Sequence, residues 1–205
     1  MRFYERVILP RLVHVTCASR PVMKQRAKVV PAARGRVLEI GFGSGLNLPF
    51  YDSGAVERVW ALEPSREMWR LARPRVERAP FPVEHVEAGA DRIPLDAGAA
   101  DTIVVTYTLC TIPEAVPAVA EMRRVLRPGG RLLFSEHGAA PDEPTRKWQR
   151  RLDPIWSRLS GGCHLDRAIP DLLEEGGFRA HEISASYIPG WKPASYHYWG
   201  AAVPS

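Results

Sequence analysis

The chain has 205 residues, 45% of them hydrophobic and 25% charged, which is the length and balance of one soluble domain able to bury a core. No run approaches the 18 or so apolar residues that cross a bilayer, and the most apolar early stretch, 7–18, is broken by Pro10, Arg11 and His14. The three cysteines, Cys17, Cys110 and Cys163, are odd in number, far apart and without a CxxC pair, so neither a disulfide framework nor a metal site is expected.

The net charge of +5 is unevenly placed. Residues 1–36 carry nine Lys or Arg against Glu5 alone, while the other 169 residues carry 19 bases and 22 acids. A nucleic-acid binder spreads its positive charge along a face or groove with stacking aromatics, and this chain does not, so no nucleic-acid partner is expected.

In chain order, the basic arm at 1–34 comes first. Phe3 and Val7 before Pro10, then Met23, Ala27 and Val30 after Pro21, follow helical spacing and predict two short amphipathic helices. These either pack on the body of the protein or cover a ligand pocket, and contact with anionic lipid stays open. From 35 to 205, strand-length apolar runs alternate with helical patterns, the mark of a doubly wound, Rossmann-like α/β sheet with helices on both faces. Seven strands are predicted, at Arg36–Ile40, Arg58–Leu62, Val83–Val86, Thr102–Tyr107, Arg131–Glu136, Glu182–Tyr187 and Tyr196–Ala202. The last two have no helix between them and are expected to form an antiparallel pair at one edge of a mostly parallel sheet.

Ser65 is a plausible N-cap for a helix carrying Met68, Leu71 and Ala72. Pro113-Glu114 opens the next helix, which runs to Leu126 and stops at Pro128-Gly129-Gly130. An amphipathic stretch from Trp148 to Leu159, interrupted at Pro154, lies in a lid-like insertion at about 141–167. The final helix is placed at Pro170–Glu175.

Between the first strand and the element after it runs Glu39-Ile40-Gly41-Phe42-Gly43-Ser44-Gly45, a turn that lets a ligand approach the backbone, and a helix is expected to follow and offer its N-terminus. The dinucleotide fingerprint needs a glycine at 46, which is Leu46, and no Gly-Lys-Ser/Thr of a phosphate-binding loop follows. Glu63 lies 22 residues past Gly41, where a carboxylate can accept both hydroxyls of a ribose. Together these point to an adenosine ligand without a pyrophosphate, and Glu39 suits a cationic amino group on it.

On these residues the sequence resembles the class I S-adenosylmethionine-dependent methyltransferases. Matching segments are Glu39 to Gly45, Glu63 to Met68, the Ala88-Gly89-Ala90-Asp91 loop, Tyr107 to Cys110, and Arg124 to Gly130, the last typical of the ubiquinone and menaquinone methyltransferase branch. The resemblance implies S-adenosyl-L-methionine as cofactor and S-adenosyl-L-homocysteine as product. It implies cofactor contacts from Glu39, Gly41, Gly43, Gly45, Asn47, Glu63, Pro64, Met68, Ala90, Asp91, Tyr107 and Leu109, with Asp91 or main-chain groups serving the adenine.

In the C-terminal half, Thr108-Leu109-Cys110-Thr111, Phe134 to His137, and Gly162 to Arg167 with Trp156 upstream are similar to the methyltransferase-like thiol methyltransferases, which act on small alkyl and aryl thiols. Animal members of that group begin with a hydrophobic anchor, where this chain has its basic arm. The expected acceptor is a small apolar molecule, first a thiol, with a quinone-like ring or a phospholipid head group as the alternative. A cofactor-binding protein without turnover is the alternative of another class.

A thiol with a pKa of about 8.5 is only a few per cent ionised at neutral pH, so a base or positive charge near it helps. His137, ending the fifth strand at the carboxyl edge, and His164, in the glycine-rich turn after the insertion, are the candidates. Cys110, Glu136, Trp156, Cys163, Tyr187 and Trp191 are candidates to wall the acceptor pocket, the cysteines as small buried hydrophobes rather than nucleophiles. The expected location is cytoplasmic, with peripheral membrane contact left open by the arm.

Overall fold

Apolar residues run almost unbroken through 37–40, 59–62 and 103–105, the composition of strands buried on both faces. In the computed structural model, which describes residues 4–205, these runs form the middle of a seven-stranded sheet. Its strands are β1 (Gly35–Ile40), β2 (Val56–Leu62), β3 (Val83–Val86), β4 (Ala100–Thr106), β5 (Leu126–His137), β6 (Phe178–Tyr187) and β7 (Tyr196–Pro204). Their order is β3-β2-β1-β4-β5-β7-β6. All seven predicted strands are present, and the antiparallel pair does sit at one edge. β7 is the strand inside that pair, antiparallel to both β5 and β6.

The winding reverses between β1 and β4, so the loops after those strands open a crevice at the carboxyl edge. Side chains alternate between the two faces. On one face Leu38, Ile40, Ile103, Val105, Leu132 and Phe134 pack against α4 (Ala115–Val125) and α6 (Ile169–Glu175). On the other, Val37, Val59, Ala61, Val104 and Leu133 meet Val29, Val30 and Ala33 of the arm, together with Ala72 of α3 (Arg66–Val76).

Four local expectations change. No α-helix follows the glycine turn, only a 3-10 turn at Leu48–Phe50. Pro49 and the buried Asn47, whose amide bonds back to Glu39 and Thr106, keep that connection short. The arm helices α1 (Leu9–Cys17) and α2 (Arg20–Val29) lie over this face instead, and Pro10 and Pro21 each sit in a first turn, where the missing N–H is harmless. Phe3 lies outside the described residues. Third, α5 (Glu143–Leu159) runs straight through Pro154, whose turn faces solvent. Water can serve the Arg150 carbonyl left free there. α4 also ends at Val125, and Leu126 to Gly130 enter β5. Ser65 caps α3 as expected, accepting from the Met68 N–H.

α5 is fastened to the body by one buried side chain. The Gln149 Oε1 accepts from the Ala140 N–H, and its Nε2 donates to the carbonyls of Gly138, Leu165 and Pro193, each bond 2.9 Å. One amide therefore ties the exit of β5, the 161–167 turn and the 188–195 turn together. Gln149→Leu would strand these backbone groups without water and is expected to lower stability by about 3 kcal/mol or more in urea denaturation. A loss below about 1 kcal/mol would show that the three turns hold themselves.

Candidate active site

The face that packs under the arm turns polar toward its carboxyl edge. Continuing the alternation beyond the apolar residues gives Glu39 on β1, Glu63 after β2, Thr106 on β4, Ser135 and His137 on β5, and His197 on β7, all buried. Groups like these need partners once water is gone. The arm supplies one. Arg26, 5% exposed, donates from Nη1 to the Asn47 Oδ1 at 2.9 Å and to the Thr106 Oγ1 at 2.5 Å. Its guanidinium also lies 5.0 Å from the centre of the Tyr107 ring.

Beneath it, Glu39 accepts from the Asn47 Nδ2 at 3.0 Å and from the Tyr51 hydroxyl at 2.6 Å. Burial raises its carboxyl to about 7, against the pull of these hydrogen bonds and of Arg26. Glu63 braces the glycine turn, one oxygen accepting from the Gly43 N–H at 2.7 Å and the other from the Ser65 N–H at 2.8 Å. α1 is tied to the same turn, with His14 Nδ1 2.7 Å from the Ser44 Oγ.

A cavity of about 50 Å³ lies between arm and turn. Val13, His14, Cys17 and Arg26 line it from the arm, and Gly41, Gly43, Met68 and Tyr107 from the body. Gly43 has φ +58, and a Cβ there would sit in van der Waals contact with the Met68 Cε at 3.4 Å and the Gly41 carbonyl at 3.7 Å, so a small side chain would fit but would take up room on the cavity wall. Gly41 differs, since a Cβ would run into the Thr108 side chain. Tyr107 is the one non-glycine residue with positive φ among the described residues, at +56, a strained conformation for a bulky side chain. A larger cleft of about 340 Å³, lined by Arg146, Arg150, Asp166 and Asp171, touches none of the glycine turn.

Beside Cys17, which lies on the cavity wall, stands a second cluster. His137 Nε2 is 3.1 Å from the Cys163 Sγ, and Cys163 Sγ is 3.6 Å from the Cys110 Sγ. The shared hydrogen bond with Cys110 and the attraction of His137 outweigh burial and lower the Cys163 thiol, while Cys110 is raised. Burial alone would lower His137, but Cys163 and Glu136 outweigh it and raise it. His197, whose ring centre is 6.3 Å from that of His137, is pushed down to about 3 by burial and by His137, and its Nδ1 meets the Tyr107 hydroxyl at 3.0 Å.

The structure brings Gly41, Gly43, Met68 and Tyr107 to the cavity, sets Glu39 and Asn47 beneath it and joins Glu63 to its rim. Gly45 completes the turn but faces Leu48 and Phe42. Ala90 and Leu109 are packed in the opposite core cluster, and Pro64 and Asp91 are exposed. Glu136 alternates to the face away from His137, and its Oε1 accepts from the N–H groups of Thr108 and Leu109, so it shapes the turn after β4 instead of walling a pocket. His164 pairs with Asp153 of α5 at 2.7 Å and joins neither the cavity nor the cluster. Tyr187 is an exposed edge residue bonded to Asp142, and Trp191 is half exposed against Trp156.

Arg26, His14, Cys17 and Thr106 were missed by the sequence reading, and His197, weighed there as a packing residue of the edge strands, stands within the buried polar face. Around Arg26 the expected stripe is displaced: α2 buries Gln25, Arg26 and Val29, while Ala27, expected on the packed face, is exposed. A basic residue in an amphipathic helix reads as solvated until the face opposite it is known to be polar.

Residues 38–134 match a family described as a methyltransferase domain. The chain is 34% identical over 183 residues to thiol S-methyltransferase TMT1B of Homo sapiens, spanning 86% of this chain and 74% of that one. It is 33% identical over 148 residues to phosphatidylethanolamine N-methyltransferase of Cereibacter sphaeroides, 71% of each. Two solved structures share the fold: a SAM-dependent methyltransferase of Leishmania major (TM-score 0.71, 17% identity, 98% of this chain and 80% of that one) and one of Thermotoga maritima (0.67, 18%, 100% and 99%).

The raised Glu39 carboxyl makes a stability prediction. The unfolded chain ionises this group near 4.5 while the folded protein holds its proton up to about 7, so folding stability falls as pH rises between those values. Glu39→Gln lacks that loss. Its stability relative to the parent is expected to grow by about 3 kcal/mol from pH 4.5 to pH 8 in denaturant titrations, and a pH-independent difference would show an ordinary carboxyl.

Proposed function

The chain belongs to the class I S-adenosylmethionine-dependent methyltransferases, and from that premise we propose a small apolar thiol as its methyl acceptor. Bound S-adenosylmethionine supplies the methyl group on a sulfonium that is already electrophilic. The residues present suit it. Gly43 lines the cavity with no side chain of its own, and the Arg26 Nε is buried there with no hydrogen-bond partner among the described residues. In this reading Arg26 holds the cofactor carboxylate, Glu39 and Asn47 serve its amino group, and Glu63 serves the ribose. Met68 packs beside it, and Asp91 or the 88–91 backbone takes the adenine. The arm at 1–34 is the cap that keeps water out.

The observation that carries the thiol reading is the His137–Cys163 pair, set on the same sheet face as the glycine turn and next to the cavity-lining Cys17. A thiol brought against this pair meets soft, polar groups able to stabilise its thiolate, the reactive species. The rest of the work is positioning a soft, apolar nucleophile in a dry chamber. The similarity to a protein named a thiol S-methyltransferase supports this choice, and the likeness to a phosphatidylethanolamine N-methyltransferase keeps a lipid head group as the second reading.

A panel of alkyl and aryl thiols, phenols, quinols and phospholipids, each offered with labelled S-adenosylmethionine, separates these acceptors. Methylation of thiols is expected, with none for Gly43→Val, whose side chain would take up room on the cavity wall and which is expected to lose S-adenosylhomocysteine in calorimetry. Turnover confined to phenols or lipids would sink the thiol reading.

Helices α1 and α5 also present apolar stripes to solvent: Leu12 and Val15 on one, with Ile8 just before it, and Trp148, Ile155 and Leu159 on the other. Exposed Arg11, Arg20, Arg151 and Arg158 flank them. This pairing of apolar and basic groups suits peripheral contact with an anionic bilayer. Sedimentation with vesicles containing phosphatidylserine is expected, weakened by Leu12→Glu and by salt, whereas equal binding to neutral vesicles would contradict a charge-assisted contact.

A further inference from the structure

Cysteines 53 residues apart in sequence, on the turn after β4 and the turn after α5, meet over the last residue of β5. The ligand-capable atoms of Cys110, His137 and Cys163 all lie within 4.8 Å of one another. We propose that these three side chains bind a soft divalent metal ion, zinc by chemical class, leaving one coordination position open.

The spacing suits that ion. With Zn–S near 2.3 Å and Zn–N near 2.0–2.1 Å, a tetrahedral site has S···S edges of about 3.8 Å and S···N edges of about 3.5 Å. The Cys163–Cys110 and His137–Cys163 separations are 3.6 Å and 3.1 Å and the third edge lies within 4.8 Å, so modest shifts of the side chains bring all three to bonding distance of one ion. Two thiolates balance a divalent charge, giving a neutral group that can stay buried, and a set of two sulfurs and one imidazole selects zinc over magnesium or calcium.

The loops carrying the ligands are held before any ion arrives. Glu136 fixes the N–H groups of Thr108 and Leu109, Arg167 bonds the Leu109 carbonyl, and the His164 N–H bonds the Cys110 carbonyl. Gln149 holds the Leu165 carbonyl on the other side. Such supports are what position metal ligands.

A second observation points to the same place. The buried side-chain atoms without a hydrogen-bond partner among the described residues are Arg26 Nε, Ser135 Oγ, Glu136 Oε2, His137 Nδ1 and Trp156 Nε1. Glu136 Oε2 lies on the α4 face of the sheet, and the other four belong to the arm face at the end of β5, to Arg26 above it and to Trp156 of α5 beside Cys163. Four such groups gathered on one face mark a place able to hold something polar.

Three protein ligands with an open fourth position is the arrangement of catalytic rather than structural zinc. Resting on the thiol reading above, the open position takes the acceptor. The Zn–S bond forms as the bond to a coordinated water breaks, and the thiol proton leaves with that water to solvent. The acceptor is then held as a thiolate at neutral pH.

The test begins with the wild-type protein purified from zinc-supplemented cells without chelator. Elemental analysis is expected to give about one zinc per chain. Replacing zinc by cobalt(II) is expected to give thiolate-to-metal charge-transfer absorption and the intense visible bands of a four-coordinate ion. The Cys110→Ala/Cys163→Ala variant, with folding checked by circular dichroism, is expected to lose both.

A six-coordinate aqueous cobalt spectrum on wild-type protein, or a Cys110–Cys163 disulfide in place of metal, overturns the site even if the variant misfolds. Addition of a small thiol is expected to shift the visible bands of the cobalt protein, and an unchanged spectrum overturns the acceptor role. Metal content is independent of the acceptor panel. Zinc present with no thiol methylated retires the thiol reading alone, and thiols methylated with no metal bound retires this site alone.

Discussion

The buried guanidinium of Arg26 is the interaction on which the rest of the site depends. The carboxyl edge of the sheet places Glu39, Asn47 and Thr106 out of reach of water, and a carboxylate so buried is costly unless hydrogen-bonded and balanced by charge. Asn47 and Tyr51 provide the bonds, and Arg26, reaching down from α2, provides the charge and ties Asn47 to Thr106. The arm therefore completes the polar layer. Removing it would leave that layer unpaired and the apolar Val29 and Val30 without their cover. An arm that supplies both core residues and the wall of the cavity couples ligand binding to the packing of the whole face.

The two-residue period of β5 then decides which neighbours do chemistry. Glu136 and His137 are adjacent in sequence but point to opposite faces. Glu136 turns toward the α4 side and organises the turn after β4, and His137 turns toward the arm and meets Cys163. That turn begins at Tyr107, whose positive φ carries the chain sharply away from the strand so that Cys110 comes back over its end. Strain at Tyr107 and the buried Glu136 carboxyl that holds the Thr108 and Leu109 N–H groups together shape the turn that carries Cys110. Positioning and reacting groups are thus separated by alternation along a single strand.

The architecture was legible in the sequence because it rests on periodic signals. Apolar runs of strand length, Ser65 as a cap, and the glycine turn followed 22 residues later by Glu63 each have a local cause, and each appears where that cause places it. The site was legible only in part. Local pattern could not reveal that the helix expected after the glycine turn is replaced by one preceding β1, because that exchange depends on which surface the arm finds. Ala90 and Leu109 lie in motif segments but turn into the core, and His164 is drawn to Asp153 by a contact across 11 residues of helix and turn. The three cysteines, far apart along the chain, gave no sign of a shared location, since it is the strand order that brings the turns after β4 and α5 to the end of β5.

The uneven charge also takes on a physical meaning. Arg26 is consumed by the polar layer and Lys28 lies over the Trp199 ring at 3.6 Å, whereas Arg11, Arg20 and Lys24 remain in solvent. The excess positive charge is therefore divided between an inward group that fixes the arm and outward groups beside an apolar stripe. The cavity under the arm holds about 50 Å³, well short of the 300 Å³ or more that small-molecule sites commonly offer. On the arm side the cavity is closed by α1, through the His14 contact to Ser44, and by α2, which Arg26 and the core hold in place. α1 is thus both a wall of the cavity and the helix that exposes Leu12 and Val15, with Ile8 just ahead of it, so one element sets both the closure of the cavity and the apolar surface turned to solvent.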